Sequence, residues 1–265
     1  MRTSLRAAAL VAACAVAGGA LFGAGAATAG QSTANSTKEP YNIGQLVKDI
    51  DTYYGITADS AGVYQASSKS PYAKDLARID ADAKKYIDQA ADKAKHKKQK
   101  PAVVFDIDDT LLLSLDYEKR YNYTYNSASW AAYVNRADRP GVFGSADLVR
   151  YAEKKGVEVF YNSGLTEAQR PAAVENLKKI GADVNLDAGH MYLKDAANPP
   201  SYLKSCATPN AWTCTTVQYK AGTRKHIEKD LGYDIIANFG DQYSDLDGGY
   251  ASRTYKIPNP TYFVG

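Results

Sequence analysis

The run Ala102-Val103-Val104-Phe105-Asp106-Ile107-Asp108-Asp109-Thr110 constrains this chain more than any other stretch. Its four leading apolar residues read as a short buried strand. The strand stops at a carboxylate, and a second carboxylate follows two positions later. In open α/β sheets ligands bind just beyond the carboxyl ends of the strands. Asp106 and Asp108 are therefore predicted to face a crevice. Like charges that close are costly unless a cation or a proton offsets them, and a hard divalent cation with oxygen ligands is the simplest remedy. Asp after a strand is also a common turn former, so a second element matters. Tyr233-Asp234-Ile235-Ile236-Ala237-Asn238-Phe239 reads as another strand, and it runs into Gly240-Asp241-Gln242-Tyr243-Ser244-Asp245-Leu246. There the carboxylates are spaced Asp-x-x-x-Asp.

Between and around these two runs the apolar pattern alternates. Strands are predicted at 102–106, 157–162, 190–193, 234–239 and 253–257, with helices near 128–136, 145–155, 166–180 and 222–231. Strand–helix alternation implies a mainly parallel sheet covered by helices. Upstream, Ile43, Leu46, Val47 and Ile50 have helical spacing. A longer helix at 71–95 is predicted to turn Leu76, Ile79, Tyr86 and Ile87 inward.

Residues 1–29 read as a secretory signal peptide: Arg2 and Arg6 precede the small, apolar stretch 7–26, and Ala27-Thr28-Ala29 is an Ala-x-Ala cleavage signature. The stretch is rich in Ala and Gly rather than Leu, which disfavours a retained anchor. It continues well past Cys14, which argues against a lipoprotein box, and no Arg-Arg pair occurs in it. Polar residues 30–39 are predicted to be a disordered linker. Residues 40–265 suffice for one domain with a sizeable core, N-terminal helices over 40–100 and a catalytic core over 101–265. The formal net charge of +3 drops further without Arg2 and Arg6. Such a balance leaves no footprint for nucleic acid or for stable membrane association after cleavage. The basic run 93–100 reads as the solvated end of a helix. Cys206 and Cys214 are predicted to form a disulfide stapling a small loop, as paired cysteines do in exported chains.

Two Asp-bearing strand ends converging on one crevice suit phosphoryl transfer, in which cations must neutralise the phosphate. One carboxylate can be the nucleophile and another can protonate the leaving oxygen. The chain has no P-loop and no Gly-x-Ser-x-Gly. Asp106-Ile107-Asp108-Asp109-Thr110, Gly240-Asp241-Gln242-Tyr243-Ser244-Asp245-Leu246 and the closing Lys256-Ile257-Pro258-Asn259-Pro260, in this order, resemble the haloacid dehalogenase (HAD) superfamily. Within it they are similar to the secreted acid phosphatases of subfamily IIIB and class B, related to plant vegetative storage proteins. The resemblance implies an α/β fold, a HAD-like Rossmannoid three-layer sandwich with an N-terminal helical extension and a small disulfide-bearing inserted loop. It further implies a secreted, Mg²⁺-dependent acid phosphatase acting on small phosphomonoesters through an aspartyl-phosphate. Asp106 would be the nucleophile and Asp108 the general acid/base. Asp106, the backbone carbonyl of Asp108, Asp241 and Asp245 would form the Mg²⁺ site, and Ser163, Gly164 and Lys220 would bind the phosphoryl group. An inactive storage or binding protein on the same fold is the alternative.

One departure stands out. Where the family commonly carries an arginine after Ser/Thr-Gly/Asn, this chain has Leu165 after Ser163-Gly164. Arg170 matches another recurring arginine of structural type. Tyr117, Tyr121, Tyr123, Tyr125 and Trp130 cluster after the first motif, and one or two of them are expected to line a pocket for a nucleotide or aryl group. His96, His190 and His226 sit in no motif and are not expected to be catalytic.

Overall fold

The computed structural model describes residues 40–209 and 211–265. The predicted signal peptide, 1–29, and linker, 30–39, lie outside the described residues. All elements below belong to the compact unit Asn42–Gly265. Helix α1 (Ile43–Tyr54) starts where the Asn42 side chain accepts the Gln45 N–H, and it ends at Gly55, whose left-handed φ of 58° suits a residue without a Cβ. The hairpin β1 (Thr57–Ala58) and β2 (Tyr64–Gln65) leads to the long α2 (Pro71–His96), capped by the Ser70 hydroxyl and begun by a proline. The core follows: β3 (Lys100–Phe105), α3 (Leu115–Arg120), α4 (Ser127–Asn135), α5 (Ser145–Lys154), β4 (Glu158–Thr166), α6 (Arg170–Lys179) and β5 (Met191–Lys194). A hairpin of β6 (Ala207–Thr208) and β7 (Ala211–Trp212) is stapled by the Cys206–Cys214 disulfide. The chain closes with α7 (Thr216–Lys229), β8 (Tyr233–Gly240), α8 (Tyr243–Leu246) and β9 (Thr254–Lys256).

Five parallel strands form the central sheet in the order β5-β4-β3-β8-β9. β3 lies in the middle, with Val103 opposite both Val159 and Ala237. Strand side chains alternate between the two faces. Val103 and Phe105 join a large core with Leu76, Ile87, Val149 and Leu177 from α2, α5 and α6. Ala102 and Val104 join a second core with Ile227 of α7. Helices therefore cover both faces, which makes the three-layer α/β sandwich. Phe105, Phe239 and Tyr255 stack face to face across β3, β8 and β9, with centroids 4.6 and 4.8 Å apart.

Several boundaries differ from the pattern-based ones for identifiable reasons. β4 runs on to Thr166, through a register shift against β5 after Asn162, and so carries Ser163 and Gly164 on a strand end. α7 begins at Thr216 rather than near 222, because Thr215 and Gln218 form a reciprocal capping box. The short helices α3 and α8 have too few turns for periodicity to register. On α1 only Ile50 and Tyr54 are buried, whereas Ile43 stays 77 % exposed. On α2, Leu76 and Ile87 are buried, and Ile79 and Tyr86 pack half-buried beside them.

Because α2 sits against the sheet rather than over its carboxyl edge, it is a brace. Ile87→Ala is expected to destabilise the fold by about 2–5 kcal/mol, the usual cost of emptying a buried aliphatic position. Denaturant unfolding checks this; an unchanged midpoint would mean that α2 is dispensable to the core.

Candidate active site

At the end of β3 the Asp106 N–H donates to the Phe239 carbonyl of β8 (2.9 Å), so the ladder runs to its last residue. The chain then folds into a tight loop. The Ile107 carbonyl accepts both the Leu111 and Leu112 N–H groups, at 2.9 Å each. Asp109 takes a left-handed φ of 54°, a conformation that Asp tolerates better than bulkier residues. Its carboxylate accepts the Ser114 N–H (2.8 Å) and the Tyr262 hydroxyl (3.0 Å), tying the loop to the C-terminal segment. This leaves Asp106 and Asp108 facing a cavity of about 440 Å³ at the carboxyl edge of the sheet.

Asp241 and Asp245, from the end of β8 and from α8, meet Asp106 there. One carboxylate oxygen of each lies within 4.8 Å of the others. Lys220 of α7 is buried against them, its Nζ 2.5 Å from Asp106 Oδ1, 2.7 Å from Asp245 Oδ1 and 2.5 Å from the Asn162 carbonyl. Asn162 Nδ2 returns a bond to the Lys220 carbonyl at 3.0 Å, locking β4 to α7. Asp241 Oδ2 accepts from Gln242 Nε2 and from Asn259 Nδ2, both at 2.7 Å. Gln242 N–H donates to Asp245 Oδ2 at 3.0 Å, and a Cβ at Gly240 would collide with the Asp245 side chain.

The charges do not balance without help. Burial pushes Asp106 well above the usual carboxylate range; Lys220 opposes this, and Asp245, Asp241 and Asp108 add to it. Burial, with Asp245 and Asp109, raises Asp241 to about 7. For Lys220, burial acts against the charged form, but Asp106 and Asp245 outweigh it and raise its pKa, so the ammonium persists. A buried cluster of hard oxygen donors with excess negative charge fits a hard divalent cation.

The sequence matches the HAD superfamily, subfamily IIIB (Acid phosphatase), over residues 47–265. The chain belongs to that family. It is 32 % identical to vegetative storage protein 1 of Arabidopsis thaliana over 165 residues, which covers 61 % of this chain and 54 % of that protein. It is 30 % identical to acid phosphatase 1 of Solanum lycopersicum over 165 residues, covering 61 % of this chain and 58 % of that one. The chain thus spans only a little over half the length of these curated relatives. Among solved structures, the class C acid phosphatase from Bacillus anthracis shares the fold with a TM-score of 0.51 at 23 % identity, covering 70 % of this chain and 78 % of that one.

Within this subfamily IIIB chain, the expected site residues fall into distinct places. Asp106, Asp108, Gly164, Lys220, Asp241 and Asp245 all line the cavity. Ser163 is fully buried just behind it, its Oγ accepting the Leu165 N–H at 3.1 Å. Leu165 is buried in the main core. Arg170 pairs with Glu167 and donates to the Met191 carbonyl, a bracing role. Of the aromatic cluster, Tyr123, Tyr125 and Trp130 line the cavity, whereas Tyr117 is buried beneath them and Tyr121 is exposed. His190 pairs with Glu158 and Asp187, and His226 with Asp230, all outside the cavity. No helix among the described residues is long and apolar enough to cross a membrane.

Residues to which pattern reading gave no role complete the site: Glu118, Arg139, Tyr262 and Phe263, with Gln242 and Asn259 from inside the quoted motifs. Asn259 lies in the closing Lys-Ile-Pro-Asn-Pro motif, a usable signal; Glu118 and Arg139 carry none. Burial, with Asp109 nearby, raises the Glu118 carboxyl from its ordinary 4.5 to about 8. A carboxyl raised in this way holds its proton in the folded state after the unfolded chain has lost it. Its contribution is complete below about pH 4.5 and declines as pH rises toward 8. Glu118→Gln is therefore expected to flatten the fall in stability across that window. Denaturant unfolding of the metal-free protein at both ends of the window checks it; a slope equal to wild type would remove Glu118 from the account.

Proposed function

We propose that this chain is a secreted acid phosphatase that hydrolyses phosphate monoesters through an aspartyl-phosphate on Asp106, with Mg²⁺ as cofactor. The observation that carries the reading is the convergence of Asp106, Asp241, Asp245 and Lys220 on the floor of one cavity. Asp106 Oδ1 is held by Lys220, and Oδ2 accepts no hydrogen bond among the described residues. Oδ2 would then be the oxygen that attacks phosphorus. As the P–O bond to the leaving group breaks, its electron pair goes to the leaving oxygen, which takes a proton from Asp108. Asp108 then accepts a proton from the water that cleaves the aspartyl-phosphate. Lys220 and the Gly164 backbone, which line the cavity, offer positive ends to the phosphoryl oxygens, and Ser163, buried behind Gly164, holds this strand end by accepting the Leu165 N–H. Asp106, the Asp108 carbonyl, Asp241 and Asp245 would hold the cation, which supplies positive charge against the phosphate dianion.

The acid optimum is carried over from the acid phosphatases of this family, and proton donation to the leaving oxygen is the step it would serve. Secretion is supported by the leader-like N-terminus and the Cys206–Cys214 disulfide, a bond that persists in oxidising compartments. The aromatic wall of Tyr123, Tyr125 and Trp130 favours substrates whose leaving group is planar, an aryl or nucleoside group. A storage or binding role is the second reading, favoured by the likeness to a vegetative storage protein.

Hydrolysis of an aryl phosphate at acidic pH is expected from the mature protein with Mg²⁺, and it should vanish with EDTA and in Asp106→Asn. Absence of turnover in the wild type would favour the storage reading. Trp130→Ala is expected to lower kcat/KM for aryl and nucleoside phosphates by about tenfold, the order of one lost stacking contact, and to leave a small alkyl phosphate nearly unchanged. Equal losses on all three would remove the aromatic wall from substrate choice.

A further inference from the structure

Among the described residues two arginines are buried whole, and they are used differently. Arg224 of α7 spends its guanidinium on backbone, donating to the carbonyls of Gly249, Asp245 and Asp247. It is a structural clasp, with each nitrogen satisfied. Arg139, in the connection between α4 and α5, makes one side-chain hydrogen bond: Nη1 donates to Asp108 Oδ1 at 2.6 Å. Its Nε and Nη2 are buried with no hydrogen-bond partner. Leaving donors of a charged group unsatisfied in the interior works against folding, and such local violations concentrate where function demands them.

The surroundings explain what this cation holds. Its side chain is 0 % exposed, while the Asp108 carboxylate that it grips is 17 % exposed and lines the cavity. The guanidinium carbon also lies 5.5 Å from the centroid of the Trp130 ring, another cavity wall. Its backbone cannot drift, because Asn176 of α6 accepts the Arg139 N–H at 3.0 Å and donates to the Arg139 carbonyl at 2.8 Å. Arg139 itself does not line the cavity, so it acts through what it touches.

We propose that Arg139 is a positioning residue that fixes the Asp108 carboxylate by one oxygen, leaving Oδ2 turned toward the leaving group. This rests on the phosphatase reading given above. A proton donor matters most when the departing oxygen is a poor leaving group and least when it leaves readily as a stable anion. A residue that aims the donor should therefore change reactivity in proportion to leaving-group basicity. A residue that only braces the fold should lower all substrates alike.

The test compares kcat/KM for para-nitrophenyl phosphate and for a simple alkyl phosphate, in wild type, Arg139→Gln and Arg139→Lys, each checked for folding by circular dichroism. We expect Arg139→Gln to lose about tenfold or more on the alkyl ester, part of the gain a positioned acid supplies, with a much smaller loss on the nitrophenyl ester. Arg139→Lys, which keeps the charge without the planar fork, should recover part of the alkyl loss. In an Asp108→Asn background Arg139→Gln should add no further loss. Should Arg139→Gln fail to fold, the same split between substrates is expected of Arg139→Lys. Equal losses on both esters, or none, with wild-type turnover intact, would overturn this inference and leave the phosphatase reading standing. Absence of wild-type turnover on both esters would overturn both, and turnover confined to the nitrophenyl ester, with Arg139→Gln leaving it unchanged, would overturn this inference alone.

Discussion

The ammonium of Lys220, buried between Asp106 and Asp245 and against the Asn162 carbonyl, is the contact on which the carboxyl edge of the sheet depends. It draws together β3, β4, α7 and α8, elements far apart in sequence. Without it, the carboxylates that end β3 and β8 would face each other unpaired in a water-poor space, where repulsion is strongest. With it, the cluster still carries more negative than positive charge, and burial, together with the neighbouring carboxylates, raises the pKa of Asp106 and Asp241. The same imbalance that makes the site costly to fold makes it receptive to a cation and to a substrate whose charge the cation would meet.

The site divides into a floor and a wall of different construction. The floor stands on strand ends and on a loop whose backbone is bonded at Ile107, Asp109 and Ser114. The wall is built from the segment between α3 and α4, from Trp130 on α4 and from the last residues of the chain, which are tied down through Gln242, Ser244 and Asp109. Strand ends thus hold the carboxylates, while much of the wall comes from loops, where binding surfaces are commonly built on a rigid scaffold. Arg139 joins the two parts, with Asp108 on one side and the Trp130 ring on the other.

The legibility of the parts followed their physics. β3 and β8 were readable because strands buried on both faces are continuous apolar runs, and their terminal carboxylates stood out against that background. α2 was readable from its stripe, although Ile43 on α1 shows that spacing alone does not say which apolar residue meets the core. The start of α7 was missed because a capping box, not periodicity, sets it. Lys220 was named through resemblance; nothing in Gln218-Tyr219-Lys220 distinguishes a buried cation from a surface lysine.

By itself, then, the sequence determined the layered α/β class, the two Asp-bearing strand ends and the paired cysteines, because each is a local pattern of polarity, charge or spacing. Only the tertiary structure decided that Asp106 and Asp245 share the Lys220 ammonium, that Glu118 is a buried acid facing the cavity, that Ser163 sits behind Gly164 rather than beside it, and that Arg139 lies under Asp108. Those are relations between segments tens of residues apart. They depend on the depth and direction of side chains in the packed interior, where a displacement of a few ångströms turns a solvated charge into a partner.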